Sequence, residues 1–240
     1  MFVSAIVPAA GLGFRLGEVV PKPVVKLGRI PIFIHTLSAL SRHPDIKEII
    51  LVVSQDIFKQ ASGYLKKYRI RKIKELVIGG LSRRDSVQNG LGYVSGKAKL
   101  VLIHDAVRPF IELNLISRVI QEAKISGAAV LGVPINSTVK EINRKARVIR
   151  TLKREYLYEI QTPQVFQRDL IVNAYKKFPG VQASDDAFLV EKTGKRVKVV
   201  FGSYFNIKIT TPEDLVLAKA ILKNQKSKCK NQKYKSKCKI

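Results

Sequence analysis

The chain has 240 residues and a formal net charge of +26, from 44 lysines and arginines against 18 aspartates and glutamates. That length allows one large α/β domain with a substantial core. No apolar run is long enough to span a bilayer, and Met1-Phe2-Val3-Ser4 has neither the basic n-region nor the cleavage pattern of a secretory signal, so a cytosolic protein with no membrane partner is expected.

Apolar runs bounded by turn residues recur at 5–7, 49–53, 76–78, 100–103 and 128–133, each separated from the next by a helix-like stretch. The alternation predicts an α/β fold, a mostly parallel sheet with helices on both faces. Helix punctuation falls between the runs: Pro31 just inside a helix through Leu40, Ser82 as an N-cap, and Thr211 ahead of Pro212, Glu213 and Asp214. Ser184-Asp185-Asp186 opens a short helix ending near Gly194.

Residues 136–166 read differently, as short, charged, extended pieces, with 147–153 and 156–161 as two strands of a protruding β-arm. Such an arm has little core of its own and needs something to pack against; a second copy of the chain is the economical candidate, making a homodimer. The domain is expected over 1–222, and residues 223–240 as a lysine-rich, disordered tail. Eight lysines and no acid lie in that tail, which leaves +18 on the body. Both cysteines, Cys229 and Cys238, also fall there, so the fold uses no disulfide, and their spacing with no histidine nearby does not suit zinc.

The most informative segment follows the first apolar run: Pro8-Ala9-Ala10-Gly11-Leu12-Gly13-Phe14-Arg15, then Pro21-Lys22-Pro23. Small residues let backbone N–H groups approach phosphate oxygens, and Arg15 and Lys22 bring charge to oxygens that become more negative during transfer, so the segment reads as a triphosphate cradle. The dinucleotide-binding pattern fails at Leu16, and the P-loop fails because the lysine arrives late, between two prolines. Taken alone, the segment is also readable as a glycine-rich strand-to-helix turn with solvated cations.

Four further blocks accompany it: Gly79-Gly80-x-x-Arg83-x-x-Ser86-Val87-x-Asn89-Gly90-Leu91, His104-Asp105-Ala106-Val107-Arg108-Pro109, Gln161-Thr162-Pro163-Gln164-Val165-Phe166, and Asn206-Ile207-Lys208-Ile209-Thr210-x-Pro212-Glu213-Asp214-Leu215. In order and spacing, over residues 2 to about 222, these blocks resemble the 2-C-methyl-D-erythritol 4-phosphate cytidylyltransferases. The resemblance implies a Rossmann-like nucleotidyltransferase fold and transfer of CMP from CTP to a polyol phosphate in isoprenoid precursor biosynthesis. It implies Arg15, Lys22 and Lys208 as catalytic cations. Ala9, Ala10, Gly11, Gly13, Gly80, Arg83, Ser86 and Ala106 fall to the nucleotide, with small residues leaving a pocket too tight for a purine. Arg108, Thr138, Arg154, Thr162 and Ser184 fall to the polyol phosphate, with Arg154 coming from the neighbouring subunit of a homodimer. The chain departs from the family at Ser184, where a threonine is usual, at Pro23, where glutamine is usual, and at Leu81, where some relatives carry an acid.

Asp105 ends an apolar strand, where a carboxylate is costly unless it holds a cation; Mg²⁺ is the hard cation expected beside a triphosphate, and pairing with Arg108 is the alternative. The nucleophile is a phosphate monoester, ionised near neutral pH because its second pKa is about 6, so no general base is required. Alignment and charge stabilisation are left as the sources of rate. A ribitol-5-phosphate cytidylyltransferase shares several blocks, but the Val7-Pro8-Ala9-Ala10-Gly11 opening and Arg83-x-x-Ser86-Val87 favour the methylerythritol enzymes. A basic nucleic-acid-binding protein would account for the charge. It would not account for Asp105 or the loop blocks, and no specific nucleic-acid partner is expected.

Overall fold

Side chains alternate along the first strand, Val3–Ala9 (β1): Val3, Ala5, Val7 and Ala9 enter one core and Ile6 the other. A strand buried on both faces must lie inside a sheet covered on both sides. The computed structural model, which describes residues 1–11 and 21–237, has such a sheet. Its strands are β1, Ile46–Val53 (β4), Ile73–Ile78 (β5), Leu100–Ile103 (β6), Ala128–Pro134 (β7), Tyr158–Gln167 (β10) and Lys198–Phe201 (β11). The order is β11-β7-β10-β6-β1-β4-β5. Only β10 runs antiparallel to its neighbours, β6 and β7. The mostly parallel sheet expected from the sequence is therefore present, with two more strands than the apolar runs announce.

One face is covered by Ile32–Arg42 (α1), Phe58–Lys67 (α2) and Leu113–Ser126 (α4), through Phe33, Leu37, Leu40, Ala61, Ile116 and Val119. Arg83–Leu91 (α3), Arg168–Lys177 (α5) and Asp186–Glu191 (α6) cover the other, through Val87, Ile171, Ala174 and Leu189. Ser82 caps α3 in a reciprocal capping box with Asp85. Pro31 stands one residue before α1, in the small hairpin Lys26–Leu27 (β2) with Ile30–Pro31 (β3). A third cluster, Val25, Leu27, Ile32, Phe110, Ile209, Ala218 and Ile221, seats the C-terminal helix Pro212–Lys237 (α7).

Two expectations change. Of the two strands assigned to the arm, the first holds: Lys140–Ile142 (β8) pairs antiparallel with Val148–Thr151 (β9) in a separate hairpin. Residues 158–161 instead begin β10 of the main sheet, because Gln161 and the segment after it are buried between β6 and β7. The tail, expected to be disordered, continues α7 as helix through Lys237. After Pro212 it contains no glycine or proline, and lysine, glutamine, leucine and alanine all propagate a helix.

Candidate active site

β1, β4, β5 and β6 run parallel, so their carboxyl ends lie at one edge, where open sheets bind ligands. Three sequence blocks leave the sheet there: Ala10 and Gly11 after β1, Gly79 and Gly80 after β5, and His104 and Asp105 after β6. Gly79 is required by close approach, since a Cβ there would collide with the Ala10 methyl and stand 2.7 Å from Ser86 Oγ.

A cavity of about 430 Å³ opens at this edge, lined by Pro8, Ala9, Ala10, Gly11, Lys22, Pro23, Arg83, Ser86, Asp105, Val107, Lys208 and Thr210. An adjoining one of about 540 Å³ shares Ala10, Gly11 and Arg83 and adds Gly80, Leu81 and Asp56. Lys22 reaches the wall from a short 3-10 turn, Lys22–Val24, between Pro21 and Val25. Lys208 reaches it because Ile209 N–H bonds to Val107 C=O at 3.0 Å and Arg108 Nη1 donates to Asn206 C=O at 2.7 Å, which lay the Lys208 segment along the loop after β6.

Asp105 is the focus. Lys208 Nζ donates to its Oδ2 at 2.8 Å and Arg83 Nε to its Oδ1 at 2.9 Å. Burial opposes ionisation of this carboxyl, but Arg83 and Lys208, with Arg108 further off, outweigh burial and hold it well below the usual carboxylate range. Asp105 forms its ion pairs with Arg83 and Lys208 and, among the described residues, none with Arg108, the partner considered from the sequence. Beyond Asp105, Arg83 Nη2 donates to Asp186 Oδ2 at 2.8 Å, and Tyr175 Oη donates to Asp186 Oδ1 at 2.6 Å. Burial works against the charge on Arg83, and the two carboxylates more than compensate, raising its pKa well above the ordinary value.

Behind the cavity, the Gln161-Thr162-Pro163-Gln164 block is a three-way junction. Gln161 Nε2 donates to Ser203 C=O and its Oε1 accepts from Asn206 Nδ2, tying down the segment that carries Lys208. Gln164 Oε1 accepts from the Asp186 and Ala187 N–H groups while its Nε2 donates to Asp185, fixing the start of α6. Thr162 Oγ1 accepts the Asp105 N–H at 3.1 Å and bonds His104 Nδ1 at 2.9 Å. Because His104 Nε2 faces the Arg108 carbonyl at 3.2 Å, Nε2 carries the proton, Nδ1 is an acceptor, and Thr162 is the donor. A neutral His104 therefore props the Asp105 turn.

The structure thus brings Ala9, Ala10, Gly11, Lys22, Arg83, Ser86, Asp105 and Lys208 to one wall, with Gly80 on the adjoining cavity. Ala106, Arg108 and Thr162 are buried but are absent from that wall, and the Thr162 hydroxyl is engaged with His104 and Asp105. Thr138, Arg154 and Ser184 are exposed outside both cavities, with Arg154 Nη1 donating to Asn136 C=O. Arg15 and Gly13 lie outside the described residues. Sequence reasoning passed over Asp186 and Tyr175, whose partners are distant in the chain. It also passed over Thr210, which the Ile209-Thr210-Thr211 run could have suggested.

A profile of the 2-C-methyl-D-erythritol 4-phosphate cytidylyltransferases matches residues 3–224. The chain belongs to that family. It is 46% identical over 230 residues to the cytidylyltransferase of Desulforamulus reducens, covering 95% of this chain and 98% of the relative, and 42% identical over 227 residues to that of Alkaliphilus metalliredigens, covering 93% and 94%. Among solved structures, the 4-diphosphocytidyl-2C-methyl-D-erythritol synthase of Anaerococcus prevotii superposes with a TM-score of 0.82 at 37% identity, covering 92% of this chain and 96% of that one. The protein is a cytidylyltransferase that joins the cytidylyl group of CTP to 2-C-methyl-D-erythritol 4-phosphate with release of pyrophosphate, a step toward isoprenoids. The ribitol alternative falls away with that assignment.

The metal expected for a cytidylyltransferase can be tested against the donor set. Among the described residues no group of three or more acidic, histidine or cysteine side chains could hold an ion. Asp105 is the one carboxylate among the described residues on the smaller cavity's wall, and each of its oxygens has a cation. Such a site fits Mg²⁺ that arrives on triphosphate oxygens and takes a single protein carboxylate. Among the described residues, no helix is long and apolar enough to cross a membrane.

Proposed function

We propose that cytidylyl transfer takes place in the 430 Å³ cavity, with backbone N–H groups of residues 9–11 cradling the triphosphate and Lys22 and Arg15 neutralising its α- and β-phosphates. The observation that supports this most directly is the gathering of Lys22, Lys208 and Arg83 on one cavity wall at the ligand edge of the sheet, the last two paired with Asp105, the one carboxylate among the described residues on that wall. Lys208 stabilises the phosphate being transferred. The acceptor monoester attacks already ionised. Asp105 would hold Mg²⁺ carried in by the nucleotide, and the ion would supply charge neutralisation on the departing diphosphate. Ala106, Arg108 and Thr162 serve by fixing the Asp105 loop. Thr138, Arg154 and Ser184 await the acceptor from outside the cavity.

The arm supports a homodimer. Its hairpin exposes Ile142, Val148 and Ile149, and Tyr156 follows it at the surface, apolar area that a second copy would cover. A cytosolic setting with no specific nucleic-acid partner completes the reading.

The decisive experiment is pyrophosphate release from CTP and methylerythritol phosphate by Lys22→Ala and Lys208→Ala. Each variant is expected to fall about a hundred- to thousandfold in turnover, the cost of one transition-state donor. Near wild-type rates with either would refute the assignment.

A further inference from the structure

Asp186 is fully buried, and an ionised carboxylate is retained in an interior only when its oxygens are satisfied. Here Tyr175 Oη occupies Oδ1 and Arg83 Nη2 occupies Oδ2, while the Asp186 N–H is fixed by Gln164. Arg83 in turn holds Asp105 through Nε. One guanidinium therefore spans two carboxylates 81 residues apart in the chain, one beside Lys208 and the other behind the wall. Those two contacts use the Nε hydrogen and one Nη2 hydrogen and leave the second Nη2 hydrogen and both Nη1 hydrogens without a partner among the described residues. Arg83 lines both cavities.

An arginine on a cavity wall held at one point samples many rotamers; held at two, it presents its remaining edge in one direction. We propose that Asp186 is a positioning residue for the transfer reaction: it clamps Arg83 so that the Nη1 edge is presented to a phosphate oxygen of the nucleotide while Nε stays on Asp105. Tyr175 keeps the Asp186 carboxylate from rotating away. The proposal rests on reading the cavity as the nucleotide site.

A double-mutant cycle in the full-length enzyme tests it, with kcat and KM for CTP measured by pyrophosphate release and thermal unfolding recorded alongside. Asp186→Asn, nearly isosteric, is expected to lower kcat/KM about tenfold or more, in line with the loss of a charge-assisted hydrogen bond. In an Arg83→Gln background the same change is expected to cost less than about twofold, because the residue it acts through is gone. Wild-type kcat/KM for Asp186→Asn, or an equal loss in both backgrounds, would overturn the proposal. If Asp186→Asn does not fold, Tyr175→Phe takes its place, with a loss of about two- to fivefold that disappears in the Arg83→Gln background; the same loss in both, or none, would overturn the proposal equally. Full activity of Arg83→Gln alone would instead sink the reading of the cavity, and this proposal with it.

Discussion

Ser86 Oγ donates its only proton to the Ser82 carbonyl at 2.9 Å. Since it also accepts the Gly80 N–H at 3.3 Å, the hydroxyl has one lone pair left, and it can greet a ligand only as an acceptor. Ser86 lines the cavity, so a base that offers an amino hydrogen suits it and one that offers a carbonyl oxygen does not.

Ser86→Ala should therefore narrow the preference for CTP over UTP. A neutral hydrogen bond contributes about 1 kcal/mol, so the ratio of kcat/KM values should fall roughly fivefold. Competition assays with the two nucleotides measure it, and an unchanged ratio would show that the base is read elsewhere.

His104 predicts an early acid weakness. Burial, reinforced by Arg108 and opposed by Asp105, pushes its pKa from 6.5 down to about 4. Between those values the unfolded chain binds a proton that the folded protein does not. The stabilisation is complete above about pH 6.5 and drains away as the pH falls toward 4, amounting to about 3 kcal/mol. His43, also lowered chiefly by burial, adds in the same direction. Asp105, held low by its cations, gives up its share only below about pH 4. Urea midpoints between pH 7 and 4.5 should fall steadily in the native protein and less steeply in His104→Gln; parallel slopes would exclude His104 as the source.

The arm gives a prediction about assembly. Ile149 is 58% exposed on β9, and a charge there would be buried without a partner if the hairpin packs on a second copy. Ile149→Lys should shift sedimentation from dimer toward monomer at micromolar concentration while leaving thermal unfolding of the subunit within about 0.5 kcal/mol, as for other surface changes. A native protein that sediments only as monomer would remove the arm's proposed role.

The parts of this molecule that could be read from the chain are those whose physics is local. Five parallel strands, β1, β4, β5, β6 and β7, announce themselves as apolar runs, the Ser82 cap by its position, and the tight loop after β5 by Gly79, which close backbone approach requires. β10 was misassigned at its start because Tyr158 and Glu159 look like a solvated edge; burial begins only at Gln161, and its buried glutamines are polar for reasons of cross-connection. Thr162 has a structural engagement that the sequence does not announce, because a buried hydroxyl shared between His104 and Asp105 leaves no periodic trace. Asp186 was invisible for the same reason: its significance lies in Arg83, 103 residues away. The helical tail went unread because a run of lysines suggests solvation more strongly than it suggests backbone conformation.

The antiparallel placement of β10 in the seven-stranded sheet has a consequence beyond topology. β7 ends, and β10 begins, at the same rim where the loops after β1, β5 and β6 emerge, so the hairpin between them is rooted at both ends on the threshold of the cavity. Its downstream root leads within a few peptide units to Gln161 and Thr162, the residues that brace Lys208 and Asp105. Tugging or wedging that protrusion would load the bracing directly, so a compound lodged at its base could silence turnover without ever competing with CTP.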